Sequence, residues 1–185
     1  PVALQGKTIA GYAVAIENVA TGRQTLNTEL LTALTETVAG MTNGTQTTGV
    51  LLTGLGDVAF KTTYEKWVGE HASASENLSA WYIPTLSQLS AFMGTLFTMK
   101  DVPATGSEDF KNIPEFEFVN GKMFDRETIA TVNYASSTIN NQGNVSGVRI
   151  NVADGVVTNA QEAGISVKTA LNQQALCRPM ITIFK

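Results

Sequence analysis

The sequence predicts an α+β fold in a single domain, and three observations carry that expectation. Apolar residues recur at helical spacing in three stretches before residue 100. After residue 130 they alternate at a period of two, as in a β-meander. At 185 residues the chain is long enough to bury a core without a metal or a disulfide.

The first strand is expected over residues 8–16, where small and apolar side chains alternate and Ala10, Tyr12, Val14 and Ile16 share one face. Residues 18–27, with a Thr21-Gly22 turn signal, read as a loop or short hairpin. From Thr28 the period changes. Leu30, Leu31, Leu34, Val38 and Met41 recur at helical spacing, Thr28 suits the N-cap, and either Gly40 or Asn43-Gly44 suits the end. Residues 42–56 are rich in Thr and Gly and show no apolar helical period, so Val50, Leu51 and Leu52 are expected in a short extended piece. Helical spacing returns over residues 59–71, where Phe60, Tyr64 and Trp67 form an aromatic stripe that reads as core. His71, the one histidine, falls near the C-terminal end of that helix, a position favourable for an imidazolium, and a surface role is expected for it.

The next stretch reads Trp81-Tyr82-Ile83-Pro84-Thr85-Leu86-Ser87-Gln88-Leu89. Proline suits the first turn of a helix, where its missing N–H costs nothing, so a helix is expected over residues 84–98. Its apolar face holds Leu86, Leu89, Phe92, Met93, Leu96 and Phe97, and Trp81 and Tyr82 are expected to anchor it to the sheet. Residues 101–127 then carry seven carboxylates, with a short hairpin expected over 116–124 around Asn120-Gly121. Those carboxylates lack the regular spacing of an EF-hand and interleave with four basic residues from Lys100 to Arg126, so a solvated acidic insertion is expected in place of a metal site.

From residue 130 strands dominate. Val132, Tyr134 and Ser136 alternate in one, and Val148, Ile150 and Val152 share a face of the next, with Arg149 and Asn151 opposite. Asp154-Gly155 suits a hairpin turn into Val156 and Val157, and residues 165–167 add a further strand. A last strand is expected over residues 176–184, where Pro179 is tolerated only at an edge or a bulge.

Composition excludes several roles. Twelve basic against sixteen acidic residues leave a formal charge of −4, with no basic footprint for nucleic acid or an anionic membrane surface. Only 15% of residues are charged, so Thr, Ser, Asn and Gln must supply much of the polar surface, as suits extracellular or particle-bound proteins. No apolar run approaches the ~18 residues of a membrane span, so no membrane insertion is expected. Cys177 is alone and lies in an apolar run, where a buried, inert thiol is expected.

Three stretches in order, residues 81–89, Tyr134-Ala135-Ser136-Ser137-Thr138 and Cys177-Arg178-Pro179-Met180, resemble a C-type-lectin-like domain family of Bacteroidetes surface proteins and their phages. The resemblance extends over nearly the whole chain, from the strand at residues 11–16 through a helix with a following Asn/Gly/Thr segment at 30–48 and a second helix at 59–67. Two positions depart from the family pattern: Ala135 stands where Trp is usual, and Ser87 where Gly is frequent. The acidic insertion is also longer than usual. The resemblance implies two main helices flanking a small, mostly antiparallel sheet, with N- and C-terminal strands paired and variable loops grouped on one side. It also implies binding without catalysis. The Glu-Pro-Asn and Trp-Asn-Asp motifs of calcium-dependent lectins are absent from the sequence, so no cofactor and no metal are expected.

The leading functional expectation is a non-enzymatic recognition or adhesion domain on a bacterial surface or phage particle. Its ligand is expected to be a glycan or a cell-surface protein. The candidate contact residues are Asn140, Asn141, Gln142 and Asn144, with Asn159 and Gln161 in a later loop. Carboxamides offer donors and acceptors without the desolvation cost of full charges. The same residues are also common turn formers, so the alternative is that they only build the turns of a β-meander. Related retroelement-diversified domains vary such residues in their C-terminal regions. A second expectation is a structural virion or pilus component, such as a fibre, decoration or tip subunit, assembling as a homo-oligomer. An enzymatic role is disfavoured: the formylglycine-generating enzymes share a related fold, but their chemistry needs paired cysteines and Cys177 has no mate.

Overall fold

A computed structural model describes residues 3–4, 6–15, 17–20, 24–25, 41, 43–98, 131–140, 142–151, 165–168, 171 and 174–185. These residues form three helices and small antiparallel sheets, an α+β architecture. The strands are β1 (Ala3–Leu4), β2 (Lys7–Val14), β3 (Gln24–Thr25), β4 (Thr131–Ile139), β5 (Val145–Asn151), β6 (Ile165–Lys168), β7 (Gln174–Ala175) and β8 (Met180–Phe184). The helices are α1 (Gly44–Leu55), α2 (Ala59–Glu70) and α3 (Leu86–Thr98). Of the expected elements, most of the helix at 28–41, the acidic insertion with its 116–124 hairpin, and the Asp154-Gly155 turn lie outside the described residues.

The expected meander is present as a sheet ordered β4-β5-β6, with both pairings antiparallel. A second sheet is ordered β1-β2-β8 and pairs the N-terminal strand with the C-terminal one, Tyr12 opposite Thr182 and Val14 opposite Met180. Tyr12 is 45% exposed, so the face it shares with Ala10 is the more open face of β2. The last strand is shorter than expected. β8 begins at Met180, and residues 177–179 form a break after β7 in which the Pro179 carbonyl accepts a hydrogen bond from the Ala15 N–H.

This C-terminal segment joins the separate pieces. β7 pairs with β3, Leu176 bridges in parallel to Tyr134 of β4, and β8 pairs with β2 on one side. On its other side β8 bridges to Leu78 and Tyr82. Arg178, 1% exposed, donates from Nε to Asn18 Oδ1 (2.8 Å) and from Nη1 to the Ala15 carbonyl (3.1 Å), tying the segment to the end of β2. Burial pushes the Arg178 pKa down, while Tyr134 and Glu17 favour the charged form. Cys177 is buried, and burial pushes its thiol pKa up, away from the reactive thiolate.

The core beside this segment is built from Leu51, Leu55, Phe60, Tyr64, Ile83, Ile139 and Val145. α2 enters it as expected, burying Phe60, Tyr64 and Trp67. α1 is a correction: residues 44–55 are helical, where an extended piece was expected. Its buried residues are Gly44, Thr47, Thr48, Leu51, Gly54 and Leu55, which fall at helical spacing, but four of the six are small or polar. Asn43 caps it, its Oδ1 accepting from the Thr45 N–H at 2.9 Å, and Gly56 at φ 64° ends it. The hydroxyls of Thr47 and Thr48 have partners. Thr48 donates to the Gly44 carbonyl (2.6 Å) and accepts from the Ile83 N–H (2.9 Å); Thr47 bonds Ser137, which donates to the Ile83 carbonyl (2.8 Å). A Cβ at Gly44 would collide with the Ile83 carbonyl and the Tyr82 ring, so only glycine permits this approach.

The start of α3 is a second correction. The helix begins at Leu86, with Pro84 outside it. Thr85 and Gln88 form a reciprocal capping box: Thr85 Oγ1 accepts from the Gln88 N–H (3.3 Å), and Gln88 Oε1 accepts from the Thr85 N–H (3.1 Å). Because Thr85 takes the capping position, Pro84 falls one residue earlier, and its carbonyl accepts from the Ser137 N–H. Gln88 also links the helices, accepting from the Gly44 N–H (2.9 Å) and donating to the Tyr82 hydroxyl (3.1 Å).

Candidate functional site

The six residues singled out from the sequence do not all fall within the described part of the chain. Asn140, Gln142 and Asn144 do, together, in the turn between β4 and β5. Asn141, Asn159 and Gln161 lie outside the described residues.

Asn140 builds that turn. Its Oδ1 accepts from the N–H groups of Gln142 and Asn144, each at 2.9 Å. Its carbonyl accepts from Gly143 N–H, and its own N–H donates to the Asn144 carbonyl. Gly143 is buried at φ 76°, a backbone conformation that glycine adopts without strain. The side-chain oxygen of Asn140 is thus committed to the backbone, as in an Asx turn. Asn144 is half-buried and Gln142 is exposed, so among the described residues of the turn Gln142 is the side chain presented to solvent.

A second feature has no counterpart in the sequence reading. A cleft of about 360 Å³ opens between β2, the N-terminal half of α1, the segment 78–82 and the end of β8. Its described lining comprises Lys7, Thr45, Thr48, Gly49, Leu78, Ser79, Ala80, Trp81, Tyr82 and Phe184. Ser79 and Tyr82 are held by β8: the Ser79 N–H donates to the Thr182 carbonyl, and Tyr82 and Met180 exchange backbone hydrogen bonds. The Tyr82 phenol is buried beneath, bonded to Thr182 (3.1 Å) and Gln88; burial pushes its pKa up to about 12 against the opposing effect of those bonds. Trp81 lies edge-on to Trp67, and its Nε1 donates to the His71 carbonyl (2.7 Å). His71 stacks on Trp67 with ring centres 4.1 Å apart, and its Nδ1 lies 2.8 Å from the Trp67 carbonyl. Tyr82 takes the expected anchoring role, joining Gln88 of α3 to Thr182 and Met180 of β8, whereas Trp81 packs on the C-terminal end of α2 and forms part of the cleft wall.

Lys7 is the one charged side chain in that described lining. Its Nζ donates to the Glu76 carbonyl (2.6 Å) and sits 5.5 Å from the centre of the Phe184 ring. Thr45 has a buried hydroxyl without a hydrogen-bond partner among the described residues. No group of three or more His, Cys, Asp or Glu that could hold a metal is found among the described residues, and no described helix is long and apolar enough to cross a membrane. No family model matches the chain, and no curated protein or solved structure is significantly similar to it.

Proposed function

We propose that this chain is a non-enzymatic recognition or adhesion domain, displayed outside the cell on a bacterial surface or phage particle, that binds a glycan or cell-surface protein through its C-terminal loops. The observation that supports this reading is the form of the 140–144 turn. Asn140 fixes its backbone through two side-chain hydrogen bonds, and Gln142 projects from it into solvent. A turn ordered before contact loses little further entropy when a ligand is bound. A carboxamide at its tip offers both a donor and an acceptor.

The test separates contact from scaffold. Binding of Gln142→Ala to a glycan array and to whole bacterial cells is compared with wild type, with thermal unfolding measured alongside. The reading expects weaker binding at an unchanged midpoint. Full binding by Gln142→Ala would move recognition away from this turn.

A further inference from the structure

We infer that the cleft between β2, α1 and β8 is a binding site for a carboxylated sugar residue, such as a terminal hexuronate. This site shares no residue with the 140–144 turn, and it stands whether or not that turn binds a ligand.

Charge selects the class of ligand. Lys7 is the one charged group in the described lining, no carboxylate accompanies it there, and it makes no ion pair among the described residues. Its ammonium gives one N–H to the Glu76 carbonyl, which holds it in place over Phe184 and leaves two donors for an incoming anion. Shape and polarity narrow the class. The cleft lies at the small end of the range for ligand sites, room for a ring-sized group and not for a length of polymer. Trp81, Leu78 and Ala80 give it an apolar wall against which the C–H face of a sugar ring can lie. Beside that wall, Thr45 carries a hydroxyl with no hydrogen-bond partner among the described residues. Threonine in a helix populates two side-chain rotamers, so this hydroxyl can turn to meet a sugar hydroxyl at little cost. A carboxylate, an apolar ring face and a hydroxyl together describe an acidic sugar.

Two substitutions test the site without disturbing the core. Lys7→Gln removes the charge from an exposed side chain. Gly49→Leu fills the cleft from the wall of α1; a Cβ at Gly49 meets nothing within 4 Å, and leucine has a higher helix propensity than glycine. Methyl β-D-glucuronide, methyl β-D-glucoside and the peptide carboxylate acetyl-dialanine are titrated against the whole chain by calorimetry, with tryptophan fluorescence followed in parallel. The glucuronide is expected to bind at least about tenfold tighter than the neutral glucoside, as suits a charge-assisted contact. Lys7→Gln is expected to abolish that preference, and Gly49→Leu to abolish binding while unfolding no earlier than wild type. Equal affinity for the two glycosides, absence of glucuronide binding at millimolar concentration, or unchanged binding by Gly49→Leu would overturn the inference. Acetyl-dialanine binding as tightly as the glucuronide would overturn the assignment to a sugar.

Discussion

α1 and α2 are each twelve residues long and both pack into the same core, yet they are held there by different physics. α2 buries Phe60, Tyr64 and Trp67, large rings whose removal from water is itself the driving force. α1 buries glycine and threonine along with its leucines, and its approach to Ile83 depends on an absent side chain and on the buried hydroxyls of Thr47 and Thr48, both of which find partners. One helix is fixed by area and tolerates inexact geometry. The other is fixed by geometry, and small changes there matter as much as the loss of a ring.

The largest expected effect belongs to the area side. Phe60→Ala should cost about 3–5 kcal/mol, read from urea unfolding, because it removes a 1%-exposed ring from a packed core. A cost below about 1 kcal/mol would mean that α2 is not held by its aromatic face. Thr48→Val comes next and probes the geometric side. It keeps the shape, but it strips the Ile83 N–H of its acceptor, at an expected cost of about 1–3 kcal/mol. Thr48→Ser should recover most of that loss, whereas a valine as stable as wild type would show that the hydroxyl contributes nothing. Gly49→Ala is the smallest and has the opposite sign. It lies in the same helix facing open space, so it should stabilise by about 0.5–1 kcal/mol, and a destabilisation would show the α1 backbone to be strained there.

The same contrast explains what could be read from the sequence. The α2 stripe was legible because hydrophobic periodicity reports burial by area. α1 was not, although Gly44, Thr47, Thr48, Leu51 and Leu55 have helical spacing, because threonine on a buried face reads as surface until its partners at residues 83 and 137 are known. The start of α3 was written in Thr85 and Gln88, three residues apart, but Pro84 gave the louder signal one residue too early. The Asn-rich turn was legible as a turn. That Asn140 faces inward to the backbone while Gln142 faces out depends on hydrogen bonds that composition cannot order. The cleft was beyond reach for a topological reason: Lys7, Thr45, Trp81 and Phe184 are brought together only when β2 pairs with β8.

The placement of residues 174–185 bears on how the molecule assembles in time. The bond from Arg178 to Asn18 joins positions 160 residues apart, and β2 finds its partner β8 across a similar separation. The entropy of closing so long a loop is lost before any of these contacts forms, so the pairing is expected late in folding, after the helices and the β4-β5 hairpin. Until then β2 has an unpaired edge open to other chains, and the cleft has no floor. Maturation of the cleft is therefore coupled to the slowest step of the fold, and a partly folded chain would carry the β4-β5 turn without the cleft.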